Sequence, residues 1–210
     1  MIKTLIFDFG DVFINLDKQG TIERTKTLFG FDIITEKPEA ANKSIFKVND
    51  DYERGFISTE EFLSFYSDLS NDVTKEQVKK VWNSLIKDFP EYRLEFIQKL
   101  KAEGKYKLLL LSNTNDLHID YIKAHVPFYE AFKSCFDKFY LSQEIGYRKP
   151  NADIYEFVLR DNDLIANECF FVDDTKQNTD AAAALGILTW NIDETSEDVI
   201  DMFTINADLF

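Results

Sequence analysis

The sequence predicts an α/β protein: a doubly wound, mainly parallel sheet with a helical cap inserted after the first strand. Three observations carry this. Short apolar runs rich in β-branched and aromatic residues alternate with helical patterns, as in βαβ units. One long stretch, residues 17–87, has helical patterning and little strand signal. Three of the apolar runs end in polar residues, where an open α/β sheet binds its ligand. At 210 residues the chain has room for one domain with a sizeable insertion.

Thr4-Leu5-Ile6-Phe7 reads as a buried strand that ends at Asp8. Lys107–Leu111 is a second apolar run, ending at Ser112-Asn113. Cys169–Val172 is a third, ending at Asp173-Asp174. Gly186–Trp190 and Phe139–Ser142 complete the predicted strands. Between them, Arg93–Glu103 carries Leu94, Ile97 and Leu100 at helical spacing and stops at Gly104, a C-cap signal. Ile154–Leu159 follows Pro150, as a helix start permits. Thr179–Leu185 is alanine-rich and stops at Gly186. Within the insertion, Phe62, Phe65, Tyr66 and Leu69 form one apolar helical stripe; Val78, Val81, Trp82 and Leu85 form another. The predicted division is a core of residues 1–16 and 88–210 and a cap of residues 17–87.

Composition narrows the partners. With 24 basic and 38 acidic residues the net charge is −14, which repels a phosphate backbone and an anionic membrane surface. Neither nucleic acid nor membrane is an expected partner. No apolar run reaches the roughly 18 residues of a spanning helix. Met1-Ile2-Lys3-Thr4 leads straight into a strand, without a signal-peptide pattern. Cys135 and Cys169 form neither a disulfide framework nor a zinc motif. The expectation is a reduced, cytoplasmic protein.

The chemistry lies at the strand ends. Asp8, Ser112-Asn113 and Asp173-Asp174 converge at one sheet edge, with Lys149 from the loop Gly146-Tyr147-Arg148-Lys149-Pro150. Carboxylates in that setting suit Mg²⁺, a hard cation that takes oxygen ligands. Lys149 and the Ser112 hydroxyl suit an anion such as phosphate. Adjacent acids such as Asp173 and Asp174 repel unless a cation compensates them.

This ordered set resembles the haloacid dehalogenase (HAD) superfamily, which is dominated by phosphatases. Phe7-Asp8-Phe9-Gly10-Asp11-Val12 resembles its first motif and Leu110-Leu111-Ser112-Asn113-Thr114 its second. Arg148-Lys149-Pro150 resembles the third, and Phe171-Val172-Asp173-Asp174 with Asn178 the fourth. Leu141–Pro150, Ser112–Asn115 and Asp51-Tyr52-Glu53-Arg54-Gly55 are similar to the branch holding bacterial α-glucose-1-phosphate phosphatase and the phosphatase domain of soluble epoxide hydrolases. The resemblance implies a phosphatase of small phosphorylated metabolites, with sugar phosphates leading. Asp8 is then the nucleophile that forms an aspartyl phosphate. Asp8, the Gly10 carbonyl and Asp174 ligate Mg²⁺, with Asp173 as ligand or just behind them. Ser112 and the Asn113 amide bind phosphoryl oxygens, and Lys149 neutralises charge.

One position departs from the pattern. Most HAD phosphatases carry an acid–base Asp two residues after the nucleophile; here Gly10 stands there. General acid–base help is worth about 10²–10⁴-fold. Asp11, His118 or a cap residue is a candidate replacement. A binding scaffold that has lost its chemistry and a dehalogenase are the competing readings, and the paired acids Asp173-Asp174 favour phosphate over halide. Arg54 has two readings, a substrate-reading cap residue or part of a turn. Asn178 is expected to orient Asp174 or Lys149, and Arg148 to be structural. Ser112-Asn113 also fits a helix N-cap. Trp82 and Phe56 are candidates to line the pocket.

Overall fold

The computed structural model describes residues 1–30, 39–70 and 72–210. In chain order the elements are β1 (Thr4–Phe7), α1 (Lys18–Phe29), α2 (Glu39–Glu53), α3 (Thr59–Ser67), α4 (Lys75–Asn83), α5 (Glu91–Glu103), β2 (Lys107–Ser112), α6 (Asp116–His125), α7 (Tyr129–Lys133), β3 (Lys138–Leu141), α8 (Ser142–Ile145), α9 (Ala152–Asp161), β4 (Cys169–Asp173), α10 (Lys176–Ala184), β5 (Leu188–Asn191) and α11 (Met202–Ile205). The five strands form one parallel sheet in the order β3-β2-β1-β4-β5. The fold class is the one the sequence predicts.

The continuous apolar runs are explained by burial on both sheet faces. Along each strand alternate side chains enter opposite clusters. Leu5, Phe7, Leu108, Leu110, Phe170 and Val172 face one way. Ile6, Leu109, Leu111, Cys169 and Phe171 face the other. Many of the chain's phenylalanines fill the first cluster: Phe9 stacks on Phe132 at 5.2 Å between ring centroids, and Phe13 meets the same ring edge-on at 4.9 Å. Both cysteines are buried free thiols.

Register then fixes the site. Phe7 sits beside Leu110 on one side and Val172 on the other. Asp8 therefore leaves the sheet level with the ends of β2 and β4. The strand order turns outward on both sides of β1, the switch point at which open sheets bind ligands.

The four helices α1–α4 lie between β1 and α5. Capping boxes open two of them. Ser58 and Glu61 reciprocate at α3, and Thr74 and Gln77 at α4. The segments on either side of these four helices run together: Asn15 N–H donates to the Asp88 carbonyl at 2.8 Å, and Lys87 N–H to the Asn15 carbonyl at 3.0 Å. The inserted helices share an apolar cluster of Phe29, Tyr52, Phe62, Tyr66 and Val78, and Leu117 of α6 joins it. Here Trp82 stacks on His118 and its backbone carbonyl bonds the His118 Nε2. Phe56 is mostly exposed.

Arg93 of α5 braces the loop after β1. Its guanidinium donates to the Phe13 carbonyl (3.2 Å), Asn15 Oδ1 (2.9 Å) and Asp198 (2.9 Å). Burial acts to raise the Asp198 carboxyl, but Arg93 and the Tyr92 hydroxyl outweigh it and hold the group below its usual range. That stabilisation is present above the unfolded carboxylate value of about 3.9 and is lost as pH falls through the lower folded one. Arg93→Met is expected to cost about 2–3 kcal/mol at neutral pH, the pair being partly exposed. In denaturation midpoints measured against pH, the gap from the parent narrows below about pH 4.

Candidate active site

Lys149 is the hub. It follows Arg148 in the loop between α8 and α9, and its side chain is fully buried. Its ammonium lies 2.9 Å from Asp8 Oδ1 and 2.6 Å from Asp173 Oδ2. Burial opposes its charge, but Asp173 and Asp8 more than compensate and raise it above an ordinary lysine. Asp8 is the less favoured partner. Burial pushes its carboxyl up to about 7; Lys149 pulls the other way, while Asp173 and Asp174 add to the rise.

Asp173, by contrast, is fully satisfied. Oδ1 accepts from the Thr175 N–H (2.8 Å) and from Asn178 Nδ2 (2.9 Å), while Oδ2 accepts from Lys149 and from Asn178 Nδ2 at 3.1 Å. Of the two roles expected for Asn178, the structure places it on the Lys149 side, through Asp173. One oxygen each from Asp8, Asp173 and Asp174 lies within 4.8 Å of the others, close enough to share one small cation. With both Asp173 oxygens engaged, Asp8 and Asp174 supply the carboxylate oxygens to such a cation, and hard oxygen donors fit Mg²⁺.

Asn113 does more than its amide suggested. Its side-chain Oδ1 accepts from the Lys149 N–H at 2.9 Å, and Nδ2 donates to the Lys149 carbonyl at 2.9 Å. This two-way clamp fixes the backbone that carries the lysine. Ser112 is buried at the end of β2. The N-cap expected of Ser112-Asn113 belongs instead to Asn115, whose side chain accepts from the His118 N–H. The loop is further tied by Ser142: its Oγ accepts from the Thr114 N–H at 2.9 Å and donates to the Thr114 carbonyl at 3.1 Å.

Three expectations need correction. Arg54 does not face the cleft: Nε donates to Asp50 at 2.8 Å and Nη1 to the Gly146 carbonyl at 3.4 Å, so it bridges two loops. Asp11 does not turn toward Asp8. Its backbone is left-handed (φ 52°), Oδ1 accepts from the Leu16 N–H at 2.8 Å, and Oδ2 pairs with Lys18 at 2.7 Å. His118 is no acid–base group either. Nδ1 faces Asn115 Nδ2 and Nε2 the Trp82 carbonyl, and burial lowers its basicity to about 4, so it stays neutral.

Sequence reading missed Lys18 and Glu53. Lys18 opens α1, and its ammonium lies 2.7 Å from Asp11, 2.7 Å from Asp174 and 3.4 Å from Glu194. A lysine at a helix start carries no mark of such a role; only the folded chain brings the three acids to it. Glu53 ends α2 and lines the same cleft as Gly10, Ser112, Asn113 and His118. Its Oε2 accepts from Arg148 Nε. It stood inside the Asp51–Gly55 segment, but its partner is 95 residues away in sequence.

Comparison with known proteins agrees with this geometry. The chain is 30% identical over 195 residues to D-ribitol-5-phosphate phosphatase of Bacteroides thetaiotaomicron, covering 90% of this chain and 91% of that one. The HAD family enzyme bt-2542 of the same organism, solved with magnesium and inorganic phosphate, superposes with a TM-score of 0.79 at 32% identity, covering 97% of this chain and 100% of that one. A predicted HAD-like hydrolase of Porphyromonas gingivalis superposes with a TM-score of 0.80 at 29% identity, covering 98% and 97%. The family model for haloacid dehalogenase-like hydrolases matches residues 2–186, and the chain belongs to that family.

Proposed function

We propose that the protein is a Mg²⁺-dependent phosphatase of small phosphate monoesters, with sugar or polyol phosphates as its substrate class. Asp8 is the nucleophile. The observation that carries the reading is the buried Lys149 ammonium held between Asp8 and Asp173, with Asp174 beside them. The 30% identity to a D-ribitol-5-phosphate phosphatase supports the substrate class.

In this reading Asp8 attacks phosphorus and Lys149 neutralises charge on the transferring group. The Ser112 hydroxyl and the Asn113 N–H receive phosphoryl oxygens. Asp8, the Gly10 carbonyl and Asp174 hold Mg²⁺, which when bound offsets phosphoryl charge. Asp173 keeps Lys149 in place rather than ligating the ion, because its oxygens are already committed. Residues 17–87 act as a cap that excludes bulk water from the core of 1–16 and 88–210. Lys18 offsets the charge of Asp174. Halide displacement needs no metal, so Asp174 beside Asp8 favours phosphate over halide.

The test is phosphate release from a panel of sugar and polyol phosphates with Mg²⁺ and with EDTA. The expected result is release that needs Mg²⁺ and falls to the no-enzyme rate in chelator. Release indifferent to chelator, or halide release from haloacids without metal, overturns the reading.

A further inference from the structure

The carboxyl absent at position 10 has to be sought elsewhere in the cleft, and its neighbours there are already engaged. Leu16 fills the room beside Gly10: a Cβ on Gly10 would lie 2.8 Å from Leu16 Cδ1. Asp11 is tied to the Leu16 N–H and Lys18. The Asp173 oxygens are spent on Lys149, Asn178 and Thr175. Asp174 pairs with Lys18. Both His118 nitrogens are occupied. Glu53 differs from all of these. Among the described residues it is the one carboxyl-bearing side chain lining the cleft that holds Gly10, Ser112 and Asn113. Its side chain keeps 21% exposure. Among the described residues only its Oε2 is engaged, by Arg148, whose Nη1 also donates to the Lys149 carbonyl at 3.1 Å. Arg148, the residue next to the active-site lysine, thus holds a carboxyl of α2 at the cleft that Gly10, Ser112 and Asn113 line.

We infer that Glu53 is the general acid–base of the reaction, supplied from the cap in place of a residue after the nucleophile. The inference rests on the phosphatase reading above. As Asp8 attacks, the P–O bond to the leaving group breaks and its electron pair goes to the leaving oxygen. Glu53 gives its proton to that oxygen, releasing the alcohol and leaving a carboxylate. Water then attacks phosphorus and gives its proton to Glu53. The bond to Asp8 breaks, restoring the Asp8 carboxylate and freeing phosphate. Four features bear on the proton. Burial favours the protonated form and prevails; Arg148 opposes it, Asp50 favours it and Arg54 opposes it. His118, across the cleft, is neutral and adds no charge. Because the acid comes from the cap, protonation of the leaving group is available only with the cap seated on the core.

Leaving-group dependence tests this. Wild type and Glu53→Gln are compared on a polyol phosphate, whose alkoxide needs a proton, and on p-nitrophenyl and acetyl phosphates, which need little acid help. Leaving-group release is read in the first turnover, before the shared hydrolysis of the aspartyl phosphate, and the expected result is a fall of about 10²–10³-fold on the polyol phosphate and under tenfold on the activated esters. In wild type, the alkaline fall in that rate is expected on the polyol phosphate and absent on the activated esters. Equal losses of first-turnover release on all three substrates, or a raised KM with that rate unchanged, would overturn the inference in favour of a structural or hydroxyl-binding role. If Glu53→Gln does not fold, the wild-type profiles decide: the same alkaline limb on every substrate overturns it. Wild type inactive even on the activated esters instead removes the phosphatase reading on which the inference stands.

Discussion

Lys149→Met is expected to abolish turnover and to destabilise the fold together. The ammonium is fully buried and answers two carboxylates, at 2.9 Å and 2.6 Å. Methionine keeps an apolar stem but removes the ammonium, which lies 5.4 Å from the Phe171 ring centroid, and leaves Asp8 and Asp173 facing each other without a cation. Removing one member of a buried ion pair costs about 3–5 kcal/mol. For a chain of this size that lowers the melting temperature by roughly 10 °C. The loss of phosphoryl charge compensation adds about 10²–10³-fold in kcat. Adding Asp173→Asn to Lys149→Met returns part of the stability and none of the activity, because it removes an orphaned charge without restoring the lysine. Calorimetry and phosphate release on the two variants check both halves.

Asp8→Asn is expected to act in opposite directions on activity and on stability. Without the nucleophile, phosphate release falls about 10⁴–10⁶-fold, toward background. Stability in EDTA moves the other way. Burial raises Asp8 to about 7, so the folded metal-free chain resists its ionisation. A carboxyl whose folded value lies above its unfolded one costs stability increasingly as pH rises from about 4 to about 7. Asparagine carries no such charge. The variant should therefore match the parent near pH 4 and exceed it at pH 7 and above in denaturant midpoint. Mg²⁺ should stabilise the parent and have little effect on the variant. A variant less stable than the parent at pH 7 in EDTA would mean that Lys149 outweighs burial at this site.

The strands and the meeting of several candidate residues at one sheet edge were legible because each rests on local pattern. A run such as Leu108–Leu111 has to be buried on both faces, and the polar residue that ends it has to sit at the sheet edge. That brought Asp8, Ser112 and Asp173 into one place. The legible part ends where a role depends on which groups meet across the fold. Asn113, Asn115 and Ser112 are equally good caps in sequence, yet only Asn115 caps α6, while Asn113 clamps Lys149. Arg54 and Arg148 both flank loops near the site. One is spent on Asp50 and Gly146, and the other holds Glu53. Lys18 gains its setting only when Asp11, Asp174 and Glu194 fold around it.

The central claim, that Asp8 carries the phosphoryl group, is most directly tested by trapping it. The enzyme is mixed with Mg²⁺ and a sugar or polyol phosphate that it hydrolyses, quenched in borohydride during turnover, and digested for mass spectrometry. Reduction of an aspartyl phosphate yields homoserine. The expected result is homoserine at position 8, dependent on substrate and absent when Mg²⁺ is withheld. Unmodified Asp8 in an enzyme that is turning over, or homoserine at Asp173 or Asp174 instead, would contradict the account.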